Sequence, residues 1–497
     1  MLNLRQPTLL VLCFIAALLF YSGQLSAQRK ITLDAMIQLA ESQSRDAIAA
    51  KHRFRASFWE YRTFRTQYYP MLKLNTILPS LSRSIIKYTT NEGKDIFLKQ
   101  SVANYGVEMS LSKTVGATGG QLYLKSGLDR VDNFSDSTTI SSYLSNPVTI
   151  GFTQPLLAYN PYKWDNKIEP LKYEEARRKY LEDIEQININ ATNFFFDLLQ
   201  AQLSLKIARI NQANYDTLYK IAQGRYNLGR IAENELLQLE LSYLKSNAGV
   251  ETAELELENN NFRLKSFLRI DEKEELALIP PGAGINLKIE VQKAIAEAKS
   301  NRSAIFGFQR QLFEAASQIQ LAKLANRFNA NLYAEYGLTQ SASELKQSYR
   351  NPEKEQLISF GISIPILDWG LAHGKIKMAQ SNSELVRTSV EQQQIDFEQE
   401  VYLKVMQFNM QKNQLNIASK ADTVAQKRYF VTKQRYLIGK IDITDLNIAQ
   451  TETDESQLGF ISALRSYWKN YYDLRKLTLY DFLENKPILV DFNAVLK

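Results

Sequence analysis

Two short segments contain the acidic and phenolic side chains best placed to do chemistry. Both segments have the pattern Arg-Tyr-x-x-Gly-x-Ile, in residues 225–231 and 435–441, and each is followed by an acidic residue and a leucine. The acids are Glu235 and Asp445, and the tyrosine of the second segment is Tyr436. The simplest role for both carboxylates is electrostatic, because an acid in the first turn of a helix stabilises the helix N-terminus.

No combination of residues has the spacing of a catalytic, cofactor or metal site. The two histidines, His52 and His373, are far apart in the chain. The glycine-rich stretch 116–120 lacks the Lys-Ser/Thr of a phosphate-binding loop and is predicted to be a turn. We therefore expect no enzyme activity, no cofactor and no metal.

The first 27 residues are predicted to be a secretory signal peptide. Arg5 precedes the apolar stretch 9–20, and Leu25-Ser26-Ala27 offers a small-residue cleavage site. The chain's one cysteine, Cys13, lies inside the apolar stretch rather than at its end, so we expect no lipid anchor. The mature chain would then have no thiol chemistry and no disulfide. The formal net charge of +7 over 497 residues gives no reason to expect nucleic-acid binding.

Long helices must position the two Arg-Tyr segments. Residues 31–69 have helical periodicity, and no proline occurs between Pro170 and Pro280 or between Pro365 and Pro487. Each of these long intervals is predicted to hold two helices joined at a glycine, which can adopt the left-handed conformation that ends a helix. A helix of roughly 60 residues would be about 90 Å long.

Alternating segments precede each pair of long helices. Apolar residues alternate with small or polar residues over 105–112, 148–153, 331–338 and 358–366. This pattern is typical of strands with one apolar face, including the strands of a membrane β-barrel. Any one segment would equally fit an ordinary half-buried sheet.

The order of elements occurs twice, which indicates an internal duplication. Matching residues are 258 positions apart near the start of the repeats and 210 apart later, so the first repeat carries 48 extra residues. These correspond roughly to 101–147, which we expect to be an extracellular hairpin rather than additional barrel strands. The predicted divisions are a signal peptide (1–27), a first repeat (28–279, strands within about 71–157, tip at 229), a linker (280–286), a second repeat (287–484, strands within about 329–368, tip at 439) and an irregular tail (485–497).

With this repeated order, the sequence resembles the TolC-like outer-membrane efflux family over nearly the whole mature chain. The resemblance is carried by the strand-to-helix junctions 151–157 and 361–367, the two tips 225–231 and 435–441, and the aromatic stretch 467–474.

The resemblance implies a mainly α-helical protein with a membrane β-barrel, built from a duplicated helix-strand-strand-helix-helix repeat. Three copies would each give four strands to a trimeric 12-stranded barrel, continued by a long α-helical periplasmic barrel. The function implied is a passive outer-membrane exit duct of a tripartite efflux pump or type I secretion system. Its partners would be outer-membrane lipid, a periplasmic adaptor protein and an inner-membrane pump.

Carried over by position, the resemblance assigns roles to residues at the tips. Asp445 aligns with an aspartate that narrows the periplasmic entrance, where three copies would form an acidic ring that favours cations. Tyr436 and Glu235 align with a closed-state latch. The chain departs from the family at Ile441, where a latch arginine is expected, and at Ile448, where a second ring acid is expected. The expected adaptor-docking residues are Gly229, Arg230, Ile231, Gly439, Lys440 and Ile441.

The strand–helix junctions are expected at the inner, periplasm-facing interface of the outer membrane, where aromatic belts form. The junction residues are Pro155, Pro365, Tyr159 and Trp369. Packing beneath the barrel is an equally good interpretation of the two aromatic residues.

A secreted coiled-coil structural or adhesive protein is the alternative to a duct. It predicts heptads without paired strands at a constant offset. The sequence does not identify the cargo, the pump partner or the resting state of the gate.

Overall fold

The computed structural model describes residues 29–135, 138–271, 274, 276–282 and 287–496. The predicted signal peptide and the linker residues 283–286 lie outside these ranges. The chain divides into two compact units. We call the described parts of 1–54, 178–302 and 396–497 the helical unit, and those of 55–177 and 303–395 the sheet unit.

Nine α-helices, one short 3-10 helix (Gln347–Tyr349) and ten strands occur among the described residues. The helices are α1 (Leu33–Gln43), α2 (Arg45–Thr66), α3 (Pro161–Asn227), α4 (Glu233–Leu268), α5 (Val291–Asn301), α6 (Ser303–Ala325), α7 (Leu371–Leu437), α8 (Ile443–Thr478) and α9 (Phe492–Leu496). The strands are β1 (Arg29–Ile31), β2 (Met71–Thr89), β3 (Asp95–Val115), β4 (Gly120–Phe134), β5 (Thr139–Leu156), β6 (Leu276–Leu278), β7 (Asn329–Ala342), β8 (Glu353–Ser363), β9 (Tyr480–Asp481) and β10 (Lys486–Pro487).

The sheet unit contains one antiparallel six-stranded sheet in the order β2-β3-β4-β5-β7-β8. One row of directly opposed residues crosses all six strands, and it consists of Met71, Ser112, Tyr123, Gly151, Glu335 and Leu357. Irregularities in pairing occur at 77–80, 125–127 and 145–148. The half of the sheet nearest the helices therefore has regular alternation between two faces.

The two faces of this half differ in chemistry. The apolar face consists of Leu72, Leu74, Val107, Met109, Leu111, Leu122, Leu124, Val148, Ile150, Tyr336, Ile358 and Phe360, all of them exposed. The polar face includes Lys73, Asn75, Glu108, Ser110, Tyr123, Lys125, Thr149, Tyr333, Glu335 and Ser359. A sheet with one continuous exposed apolar face suits a lipid environment better than water.

The number of strands corrects the expectation drawn from the resemblance. Four strands per chain are expected, whereas the described sheet has six. The extra segment is not a hairpin projecting beyond the sheet, because β3 and β4 pair along their length with each other and with β2 and β5. Apolar residues alternate in both strands, so they fit the sheet as readily as their neighbours do.

The helical unit is held together by aromatic packing and ion pairs between helices. Phe408 of α7 lies 5.3 Å from the ring of Tyr467 in α8, and both are buried. Arg465 of α8 donates to Asp197 of α3 over 2.6 Å. Strand β1 pairs in parallel with β6, and β9 pairs with β10.

The tail after residue 485, predicted to be irregular, contains β10 and the short helix α9. Phe492 of α9 packs 5.2 Å from Phe54, a contact that orders the segment and that local sequence does not reveal. None of the described helices is both long and apolar enough to cross a membrane.

Candidate gate at the helix tips

Two glycine turns join the long helices in pairs, α3 to α4 and α7 to α8. Gly229 and Gly439 have φ angles of 68° and 73°, which confirms the predicted left-handed conformation. The amide of Arg230 donates to the carbonyl of Arg225 over 2.9 Å, and Lys440 donates to Arg435 over the same distance. Each glycine amide also donates to the carbonyl three residues earlier, and the two bonds together form the same Schellman motif at both tips.

The helices that follow the two turns begin differently. Asp442 is the N-cap of α8, and its side chain accepts a hydrogen bond from the amide of Asp445 over 3.0 Å. The equivalent position before α4 is Ala232, which makes no side-chain cap bond. Asp442 was not among the predicted site residues, although an aspartate three positions before an acid is a recognisable capping pattern.

A small apolar core lies beneath the tips. Its buried members are Leu218, Ala222, Leu239, Tyr436, Ile443 and Leu446. Ile231 and Ile441, predicted to dock an adaptor, pack against this core and are only partly exposed. The core draws on all four long helices, so it ties the two hairpins of one chain together.

Tyr436 and Glu235, the predicted latch, are brought together by the fold. The Tyr436 hydroxyl donates to Glu235 Oε1 over 3.4 Å, and the tyrosine side chain is almost fully buried. Burial, with the nearby Glu235 charge, raises the pKa of Tyr436 to about 12, so the hydroxyl is a proton donor at neutral pH. The Arg225 guanidinium lies 5.8 Å from the centre of the ring.

Three further bonds connect the hairpins and were not predicted. Arg225 donates to the carbonyl of Leu437 over 2.7 Å. Lys433 donates to Asn214 over 2.8 Å, and the Tyr215 hydroxyl donates to Asn447 over 3.0 Å. These residues carry no pattern that sets them apart from other polar residues on long helices, because their partners lie more than 200 positions away in the chain.

The predicted aperture residues Asp445 and Ile448 are exposed, as are the Arg230 and Lys440 side chains of the turns. Within one chain the fold therefore separates two groups. Tyr436 and Glu235 are joined inside, whereas the predicted ring and docking charges face outwards.

The strand–helix junctions hold the remaining predicted residues. Pro155 lies in β5 opposite Asn331, and Pro365 follows the end of β8. The Tyr159 hydroxyl forms a 2.6 Å hydrogen bond with Ser317 of α6, whereas Trp369 is 90% exposed. Within this chain, Tyr159 therefore packs against a neighbouring helix, as the packing interpretation predicts, whereas the Trp369 side chain remains exposed.

No group of three or more His, Cys, Asp or Glu side chains arranged to hold a metal occurs in the part of the chain that the structure describes.

Comparisons with known proteins agree with this architecture. Residues 294–478 match the family described as outer membrane efflux protein. An uncharacterized protein of Haemophilus influenzae is 32% identical over 98 residues, which span 19% of this chain and only 22% of that protein.

Solved structures with a similar fold cover most of the chain. The outer-membrane channel OprN is 15% identical, with a TM-score of 0.65 over 90% of this chain and 89% of its own. The CmeC outer membrane channel of Campylobacter jejuni is 15% identical, with a TM-score of 0.63 over 93% and 88%. The outer membrane protein VceC of Vibrio cholerae is 12% identical, with a TM-score of 0.62 over 92% and 97%. At these identities the likeness concerns the fold.

Proposed function

We propose that this chain, which belongs to the TolC-like outer membrane efflux protein family, forms the exit duct of a tripartite efflux pump or a type I secretion system. The duct is a passive conduit rather than an enzyme, and an inner-membrane pump supplies the energy. Family membership supports an outer-membrane location with a periplasmic extension. The signal peptide in 1–27 directs export of the chain, and the mature protein carries no lipid anchor.

The observation that carries this proposal is the exposed apolar face of the six-stranded sheet. Twelve large side chains from all six strands share this face, including Leu74, Met109 and Phe360. The other face is mainly polar, and its large apolar side chains, such as Met71 and Leu357, lie on the two edge strands. Contact with lipid on one side and water on the other explains both faces. The alternative, a secreted coiled-coil protein with small sheet domains, offers no role for an exposed apolar face that crosses six strands.

In the proposed assembly, three copies close a barrel in the outer membrane and surround a helical tunnel. The tips form the periplasmic entrance, where the Tyr436–Glu235 bond favours the closed arrangement. Three exposed Asp445 carboxylates form an acidic ring, and Ile448, one turn further along α8, adds an apolar constriction. The turns around Gly229 and Gly439, with their exposed Arg230 and Lys440 side chains, dock the periplasmic adaptor.

Single-channel conductance in planar bilayers tests the duct and its entrance together. We expect small cation-selective currents whose selectivity falls in Asp445→Ala, because removing three carboxylates weakens the attraction for cations. Glu251→Ala is the matched control, since it removes an exposed acid of α4 away from the tips. Unchanged selectivity in Asp445→Ala would contradict the acidic ring. An absence of current from folded protein would contradict the duct itself.

A further inference from the structure

The two additional strands of the sheet determine how the barrel of the proposed function, on which this inference rests, can close. Strands β3 and β4 lie between β2 and β5, in the middle of the sheet. They are therefore not an appendage at an edge, and any barrel built from this sheet must include them.

The additional strands carry the same two faces as the rest of the sheet. Met109 of β3 lies opposite Leu74 of β2, and Leu124 of β4 lies opposite Ile150 of β5, all on the apolar face. Glu108 of β3 lies on the polar face. A segment outside the membrane would have no reason to keep this alternation in phase with its neighbours.

A hydrogen-bonded network on the polar face ties β4 to β7 across β5. The Tyr123 hydroxyl of β4 donates to the Tyr333 hydroxyl of β7 over 2.7 Å, and Lys125 pairs with Glu335 over 3.0 Å. The intervening residue is Gly151, where an added Cβ would lie 2.0 Å from the Tyr123 ring. The glycine thus makes room for a side chain of the additional strand.

The turn between the additional strands lies at the end of the sheet nearest the helices. Asn160, just before α3, donates to the carbonyl of Gly116 over 3.0 Å, and Gln154 of β5 donates to that of Thr118 over 3.0 Å. Because this turn is fixed at the helix end, β3 and β4 cross the whole apolar band of the sheet.

The two outer edges of the sheet are complementary. Strand β2 leads away from the helix end and β8 returns to it, and neither outer edge has a partner strand in the described chain. Edge-to-edge pairing of β8 with β2 of a second copy would be antiparallel, like every other pairing in the sheet. In lipid such edges must be closed, because unpaired backbone groups are costly there. Six strands are also fewer than the smallest membrane barrels contain.

We propose that the β8 edge of each chain pairs with the β2 edge of the next, so that three copies close an 18-stranded barrel. With strands about 4.8 Å apart and tilted by about 40°, the barrel diameter is about 36 Å, against about 24 Å for 12 strands. A barrel of this size leaves a wide aqueous channel. The narrowest part of the duct then lies outside the barrel.

Disulfide cross-linking between engineered cysteines tests the pairing, in a Cys13→Ala background. Ser359→Cys on the polar face of β8 is combined in turn with Lys73→Cys, Asn75→Cys and Ile77→Cys, which lie on the polar face of β2. We expect one combination to give covalent dimers and trimers on a non-reducing gel. Leu74→Cys with Ser359→Cys is the matched control and should stay monomeric, because the two side chains point to opposite faces.

The strand count of the wild-type protein, seen by cryo-electron microscopy in nanodiscs, is the second measurement. Eighteen strands support the proposal, and any other number overturns it. Trimers in the outer membrane that no polar-face pair cross-links would overturn the edge pairing and leave the duct intact. Protein that is absent from the outer membrane would overturn both proposals.

Discussion

Replacing Tyr436 by phenylalanine removes one hydroxyl from the proposed latch and keeps the buried ring. The bond to Glu235 is 3.4 Å long, and Glu235 is half-buried, so water can replace the lost donor. We therefore place its contribution at about 1 kcal/mol per chain, the usual net value of a hydrogen bond in a protein. The apolar core and the Arg225 guanidinium over the ring remain in place.

The expected effect on gating depends on how many chains must open together. A loss of about 1 kcal/mol changes an equilibrium about 5-fold, and a concerted loss of about 3 kcal/mol from three chains changes it about 150-fold. The ratio of open to closed time in planar bilayers should therefore rise by a factor between these two values. A rise near the upper value indicates concerted opening.

The matched control is Tyr226→Phe, at the equivalent position of the first repeat, where the side chain is exposed. It should leave open probability unchanged. If Tyr436→Phe and Tyr226→Phe behave alike, with folding intact by circular dichroism, the Tyr436–Glu235 bond does not hold the gate.

Three further changes test other parts of the structure. Asp442→Ala should destabilise the protein by about 1 kcal/mol, and Ala232→Asp should stabilise it by a similar amount, both measured by thermal unfolding, because one removes an N-cap and the other adds one. Gly439→Ala should cost about 1–2 kcal/mol because of the positive φ angle, whereas Gly224→Ala, inside α3, should be stabilising. Burial raises the pKa of Glu185 from 4.5 to about 7, so the folded protein binds a proton at this side chain more tightly than the unfolded chain does. The free energy of unfolding should therefore fall as the pH rises from about 4.5 through 7, and Glu185→Gln should flatten this dependence.

The tips were largely predictable because a duplication makes weak local signals agree. A glycine after a helical run is common. Here, however, Gly229 and Gly439 are 210 residues apart, and the Arg-Tyr pairs that precede them are separated by the same 210 residues. The structure confirms the left-handed conformation of both. The proximity of Tyr436 and Glu235 came only from the resemblance, because nothing local indicates which of the many acids a tyrosine will meet.

The number of strands was not predictable in the same way. The alternation in 105–112 is visible in the sequence, but alternation fixes only the faces of a strand and not its partners. The place of β7 beside β5 involves long-range contacts, such as that of Tyr123 in β4 with Tyr333 in β7, 210 residues away. The resemblance therefore predicts four strands per chain, although the alternation in 105–112 is compatible with additional ones.

The contacts at the tips determine which movements can open the proposed gate. Within one chain, separating the hairpins would break the Tyr436–Glu235 bond and the three further bonds between the hairpins, and would also expose part of the apolar core. At about 1 kcal/mol each, these four hydrogen bonds alone resist that movement by about 4 kcal/mol per chain, before any apolar area is counted. Moving the two hairpins of a chain together would leave all four bonds intact. The response of channel opening to Tyr436→Phe therefore also distinguishes the two movements. An increase in opening indicates that the two hairpins of a chain separate. A gate in which both hairpins move together would not respond, because the Tyr436–Glu235 bond would stay intact.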